Sequence, residues 1–137
     1  MLEAPHPAGA VFAWVEDLGS YPRWLDIVPR AEPDADGGWS VDLRGRLGPF
    51  ARSKRLRMVR TTHDAPKSVA FERSERDGRQ HSSWILRAEV EPVDDANCLL
   101  TMHLHYGGSL WGPVLERLLG DEIERSRPRL LQLIESG

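Results

Sequence analysis

The chain has 137 residues, 40% hydrophobic and 28% charged, with a formal net charge of −3. That suits one domain over 1–137 with enough apolar mass for a core, and it excludes a disordered tail and a polyanion-binding character for the chain as a whole. The single cysteine, Cys98, excludes an internal disulfide framework and a cysteine-built zinc site. The longest apolar stretch, Ala8 to Val15, falls far below the ~18 residues a spanning helix needs, and no basic segment followed by an apolar one opens the chain. The expectation is a protein of the cytoplasm without a membrane span. No repeat, low-complexity segment or interdomain linker is visible.

Ala8 to Leu18 reads as a helix, because Val11, Phe12, Trp14, Val15 and Leu18 recur at helical spacing and Gly19 supplies a stop. Tyr21 to Leu25 reads as a second, short helix with Ser20 as its cap and Pro22 in its first turn; Pro29 ends it. From Gly38 to Gly107 the period changes to two. Trp39, Val41 and Leu43 alternate with polar residues, as do Leu56 and Met58, Val69 and Phe71, Trp84 to Val90, and Leu100 to Tyr106. That pattern describes an antiparallel sheet with one apolar face.

Two turns set registers. Asp77-Gly78 is a two-residue hairpin signal. Centred there, it pairs Arg73 with Ser82, Phe71 with Trp84 and Val69 with Leu86. A second hairpin around Asp94-Asp95-Ala96 pairs Val93 with Asn97, Val90 with Leu100, Ala88 with Met102, Leu86 with Leu104 and Trp84 with Tyr106. Apolar residues meet on one face in both hairpins, whereas a one-residue slip would turn a strand inside out. A long helix over Leu110 to Glu135 follows, capped by Ser109. Its stripe is Trp111, Val114, Leu115, Leu118, Ile123, Leu130, Leu131 and Ile134, and a bend is expected near Pro128.

These elements give an α+β fold, a curved antiparallel sheet wrapped around a long C-terminal helix, with two short helices before it. A curled sheet around one helix leaves a cavity between them. Its expected lining is Trp39, Val41, Leu56, Met58, Phe71, Arg73, Trp84, Leu86, Met102, Leu104, Tyr106, Trp111 and Leu115.

Ala4-Pro5, the apolar helix Val11-Phe12-Ala13-Trp14-Val15-Glu16-Asp17-Leu18 and then Tyr21-Pro22-Arg23-Trp24 resemble the opening of the START/polyketide cyclase-dehydrase (SRPBCC) superfamily. The likeness extends over nearly the whole chain and implies the helix-grip fold, also seen in the birch pollen allergen. It implies lipids, isoprenoids or polyketides as ligands. Members of the superfamily begin with a full strand before the Ala-Pro, whereas here Met1 to Ala4 precede Pro5. A truncated first strand, or a poorly covered sheet edge open to a second chain, is therefore expected. Either a monomer or a homodimer fits.

Arg73, Ser82 and Tyr106 are the candidate catalytic residues. Arg73 reads as a cation on the apolar face, suited to a carboxylate or enolate, or as a rim residue snorkelling into water beside Glu75 and Gln80. Trp84 and Tyr106 read as a grip on a ringed ligand or as plain core. No carboxylate or histidine base falls inside by parity, although Glu116 or Glu122 of the last helix could turn inward. His103-x-His105 points away from the apolar face, beside Arg87 and Ile85, and with only two ligands converging no metal is expected. No cofactor motif is present: Gly107, Gly108 and Gly112 match neither a P-loop nor a dinucleotide fingerprint. Arg44, Arg46, Arg52, Lys54, Arg55, Arg57 and Arg60 form a basic run with no acidic residue, which suits phospholipid or RNA, or simply a solvated face. No nucleic-acid partner is expected. The sequence favours a binder of an apolar small molecule, with a polyketide aromatase/cyclase or dehydratase as the alternative.

Overall fold

The computed structural model describes residues 1–44, 54–107 and 112–136, the side chains of 112–118 excepted. Seven strands form one curved antiparallel sheet: β1 (Leu2–Ala4), β2 (Arg30–Pro33), β3 (Trp39–Leu43), β4 (Lys54–Asp64), β5 (Ser68–Arg73), β6 (Trp84–Asp94) and β7 (Asn97–Tyr106). Their spatial order is β1-β7-β6-β5-β4-β3-β2. Helix α1 (Ala8–Phe12) and a 3₁₀ helix (Leu18–Arg23) follow β1, and the long helix α2 (Gly112–Ser136) ends the fold. α2 packs on β7 and β1, burying Leu119, Ile123 and Leu130. It runs on as helix through Pro128. The expected cap Ser109 lies outside the described residues, as do Trp111 and the side chains of Val114, Leu115 and Leu118.

The β6–β7 hairpin has the expected register over most of its length, with Trp84 opposite Tyr106, Leu86 opposite Leu104, Ala88 opposite Met102 and Val90 opposite Leu100. Near the turn a bulge shifts the pairing, so Asn97 faces Asp94 rather than Val93. The β5–β6 register differs by two residues from the expected one: Phe71 pairs with Leu86 and Val69 with Ala88. A two-residue shift preserves which face each side chain takes. Gly78 does adopt the left-handed turn conformation, φ 73°. The strands nevertheless stop at Arg73 and Trp84, because the intervening segment is pulled toward β4. Ser74 N–H donates to the Arg57 carbonyl at 2.9 Å, and Arg57 Nη1 donates back to the Ser74 carbonyl at 3.0 Å.

The first helix is shorter than its apolar spacing predicts, ending at Phe12 rather than Leu18. Past Phe12 the backbone tightens to i→i+3 bonds, Trp14 N–H to the Val11 carbonyl and Val15 N–H to the Phe12 carbonyl at 3.0 Å each, and the carbonyls that follow accept from side chains. Tyr21 Oη donates to the Val15 carbonyl at 2.8 Å, and Trp24 Nε1 to the Trp14 carbonyl at 3.1 Å. Asp17, not Ser20, caps the next element, its carboxylate accepting from Gly19 N–H at 2.9 Å. The second helix is accordingly a 3₁₀ helix starting at Leu18. These hydrogen bonds deliver Tyr21 and Trp24, both fully buried, onto the sheet.

Two strands lie beyond the alternation pattern. β1 is three residues long and pairs with Cys98 to Leu100 of β7. β2 reads Arg-Ala-Glu-Pro, with no apolar periodicity, and stands at the other edge of the sheet, where its Pro33 costs no ladder bond to a further strand.

Candidate ligand site

Alternation and register bring the predicted lining residues of the sheet onto one face. Val41 lies opposite Leu56, Trp39 opposite Met58, Phe71 opposite Leu86, and Leu86 opposite Leu104. Val41, Leu56, Met58, Phe71, Trp84, Leu86, Met102 and Leu104 are all buried. The expected partners across from them, Trp111 and Leu115 of the α2 segment, lie outside the residues whose side chains are described.

Packing is uneven along this face. Around Phe71 it is closed: the ring meets Tyr21 at 5.8 Å and 84° and Trp39 at 5.5 Å and 89°, both edge-to-face. Tyr21 also touches Trp24 at 5.3 Å. Phe71 therefore stands in a dense aromatic core that the 3₁₀ helix builds. Burial and the neighbouring Asp17 carboxylate push the Tyr21 phenol well above its ordinary pKa, so it stays a neutral donor. Toward the β6–β7 end, Trp84 stacks obliquely on Tyr106 at 4.6 Å and 39°, and Tyr106 is only partly buried.

Polar groups gather at that same end. Ser82 Oγ and Tyr106 Oη lie 3.5 Å apart, and Arg73 Nη1 donates to the Ser82 carbonyl at 3.4 Å. The three candidate polar residues thus form one cluster. Arg73 is not the solvated rim residue of the one sequence reading. Its side chain is 9% exposed, so it does not snorkel, and its Nε donates to Glu75 Oε2 at 2.8 Å, so its charge is compensated. Glu75 also accepts the Arg57 backbone N–H at 3.2 Å. The sequence placed Glu75 on a solvated rim, whereas it is half-buried and belongs to the cluster. Glu75 follows the end of β5, so strand alternation does not place it. Gln80 does lie exposed. Glu122 pairs with Arg125 along α2, and the Glu116 side chain lies outside the described residues.

Behind the cluster, Asp34 acts as a hub that sequence reading missed. Its Oδ1 accepts from Asp36 and Gly38 N–H at 3.0 Å each, shaping the β2–β3 turn, where Gly37 takes φ 87°. Its Oδ2 accepts from Arg57 Nε at 2.7 Å and Arg76 Nη2 at 3.0 Å. The Arg57 hydrogen bond foremost holds the Asp34 carboxyl below its usual range. Within the basic run, Arg57 pairs with Asp34, Arg55 with Asp42 at 2.9 Å, and Arg60 Nη1 donates to the Glu16 carbonyl at 2.9 Å. The Arg55 contact likewise lowers the Asp42 pKa. Arg46 and Arg52 lie outside the described residues. His103 and His105 are exposed on the convex face, opposite Arg87 and Ile85 as expected. Among the described residues, no helix is long and apolar enough to cross a membrane.

This architecture recurs in solved structures. A START superfamily protein from Mycobacterium smegmatis superposes with a TM-score of 0.67 at 16% identity, covering 98% of this chain and 94% of the other. A conserved protein from Geobacillus kaustophilus gives 0.65 at 14% identity, covering 98% and 92%. The di-domain ARO/CYC BexL of the BE-7585A biosynthetic pathway gives 0.59 at 16% identity, covering 98% of this chain and 47% of its own. At such identities the likeness is one of fold. No curated protein matches the sequence. The sequence does match the family described as polyketide cyclase/dehydrase and lipid transport over residues 3–135. A match that runs from the first strand to the last turn of the final helix makes this chain a member of that family.

Proposed function

We propose that the chain binds an apolar small molecule, a lipid, isoprenoid or polyketide-like compound, between the concave face and α2, with its polar end at Tyr106 and Ser82. The observation that carries this reading is the distribution of polarity. The concave face is hydrocarbon and aromatic, and its polar groups are confined to one end, where the charge of Arg73 is already answered by Glu75. Such a surface favours apolar burial at about 25 cal/mol per Å2 and orients the guest through a few hydrogen bonds. A compensated arginine is a poor stabiliser of a developing oxyanion, which favours binding over turnover.

The test is titration with a neutral fluorescent probe, N-phenyl-1-naphthylamine. Saturable one-to-one binding is expected, weakened several-fold in Tyr106→Ala, whose side chain is only partly buried. Absence of saturable binding to the unaltered protein contradicts the proposal.

A second reading, polyketide aromatase/cyclase or dehydratase activity, draws on the 3.5 Å hydroxyl pair of Ser82 and Tyr106 beside Arg73. It requires turnover of a poly-ketone surrogate that is lost in Arg73→Ala while binding is retained. No turnover by the unaltered protein leaves the binder.

A further inference from the structure

Beside Trp39 lies a groove open to solvent, with a volume of about 850 Å3. One wall is the 3₁₀ helix with Gly19, Ser20 and Arg23, and the other is the β2–β3 hairpin with Ala31 and Pro33. The volume falls in the range of small-molecule sites, roughly 300–1,000 Å3. The walls are short side chains. A Cβ placed on Gly19 would stand 3.7 Å from Trp39 Nε1, so the indole nitrogen borders the groove where the wall is bare backbone.

Three residues that carry N–H donors line this space, Trp39, Arg60 and Arg23. Trp39 Nε1–H has no acceptor among the described residues. Arg60 uses Nη1 on the Glu16 carbonyl and forms no ion pair among the described residues, which leaves its other guanidinium N–H groups available. Arg23 lies over the Trp14 ring at 4.9 Å and likewise forms no ion pair among the described residues. This sets the two apart from Arg30, Arg55, Arg57, Arg73 and Arg76 of the sheet and its loops, each held by a carboxylate. Two carboxylates also line the groove, each with a hydrogen-bonding partner. Asp17 accepts from Gly19 N–H at 2.9 Å, and Glu16 faces His63 Nε2 at 3.0 Å.

We propose that this groove is a second binding site, for a small organic carboxylate whose anionic group meets the Trp39 indole N–H, Arg60 and Arg23 and whose apolar body lies along Ala31 and Pro33. Charge-assisted hydrogen bonds from guanidinium to carboxylate are the strongest contacts such a surface offers, and they discriminate an acid from its neutral amide. Trp39 also meets Phe71 of the concave face, so the Arg23 and Arg60 variants, which lie outside that face, assign binding to this groove.

The experiment is a heteronuclear NMR titration of the five tryptophan indole signals, with Trp39 identified by its loss in Trp39→Phe. 2-Naphthoate is the probe and 2-naphthamide its neutral counterpart. Naphthoate is expected to shift the Trp39 signal saturably, with the amide about tenfold weaker or more. Arg60→Gln and Arg23→Gln are each expected to weaken naphthoate by about tenfold, and Gly19→Leu to block it. Arg23→Gln decides the matter if Arg60→Gln disturbs the turn at Glu16, since Arg23 is exposed and lies over the Trp14 ring. The proposal is overturned if naphthoate leaves the Trp39 signal unmoved, if the amide binds equally well, or if Arg23→Gln binds as the unaltered protein does.

Discussion

Tyr21→Phe tests the structural logic of the N-terminal segment. Tyr21 is fully buried, its hydroxyl donates to the buried Val15 carbonyl at 2.8 Å, and that bond ties the turn after α1 to the 3₁₀ helix. Removing the hydroxyl leaves a carbonyl without its partner, which costs about 1–3 kcal/mol near pH 7. The pH dependence is more diagnostic. The folded phenol titrates well above its unfolded value of about 10, so its contribution is complete below pH 10 and declines as the pH rises beyond it. In the unfolded chain the phenol releases its proton first, which favours unfolding of the unaltered protein only. At pH 11 that loss amounts to about 1.4 kcal/mol and is absent in the variant. Urea denaturation from pH 7 to pH 11 should therefore show the unaltered protein ahead at neutral pH and the gap closing by about that amount. A gap that stays constant across the range refutes the buried, neutral Tyr21.

Glu75→Gln leaves Arg73 half-satisfied in a site where only 9% of that side chain is exposed, and should cost about 1–3 kcal/mol in urea unfolding. The double variant Arg73→Met with Glu75→Gln should cost less than the sum of the two single changes, and strict additivity would break the pair. Because Arg55 and Arg57 are held by Asp42 and Asp34, single-stranded RNA binding should be weak, with a salt dependence corresponding to fewer than about two phosphates; a slope of twice that would restore the basic run as an interface. Cys98 is 1% exposed and burial pushes its thiol pKa up, so a thiol reagent should modify it only on unfolding. Rapid labelling of the native chain would contradict its place beneath β1.

What could be read from the residues was parity. Trp84, Leu86, Ala88 and Val90 face the same side as Leu100, Met102, Leu104 and Tyr106 because alternation and a tight turn leave little freedom. Ring contacts and hydrogen bonds of long range were not legible. Nothing local announces that Tyr21 and Trp24 will claim the carbonyls of Val15 and Trp14, just past the end of a helix whose spacing continues to Leu18. The β5–β6 register missed by two because the Asp77-Gly78 signal describes the loop tip, while Arg57 and Ser74 decide where the strands part. At the site, alternation placed Arg73 and Tyr106, but Arg73 meets Ser82 through its side chain beyond the strand ends and not through the expected pairing. The compensation of Arg73 by Glu75 depended on a loop that leaves the sheet at Ser74, where strand periodicity ceases to apply.

Native mass spectrometry of freshly purified protein tests the central claim most directly. An apolar guest held against the concave face predicts a noncovalent adduct of a few hundred daltons at one per chain, displaced by N-phenyl-1-naphthylamine and diminished in Tyr106→Ala. A bare chain that also fails to take up the probe would contradict the account.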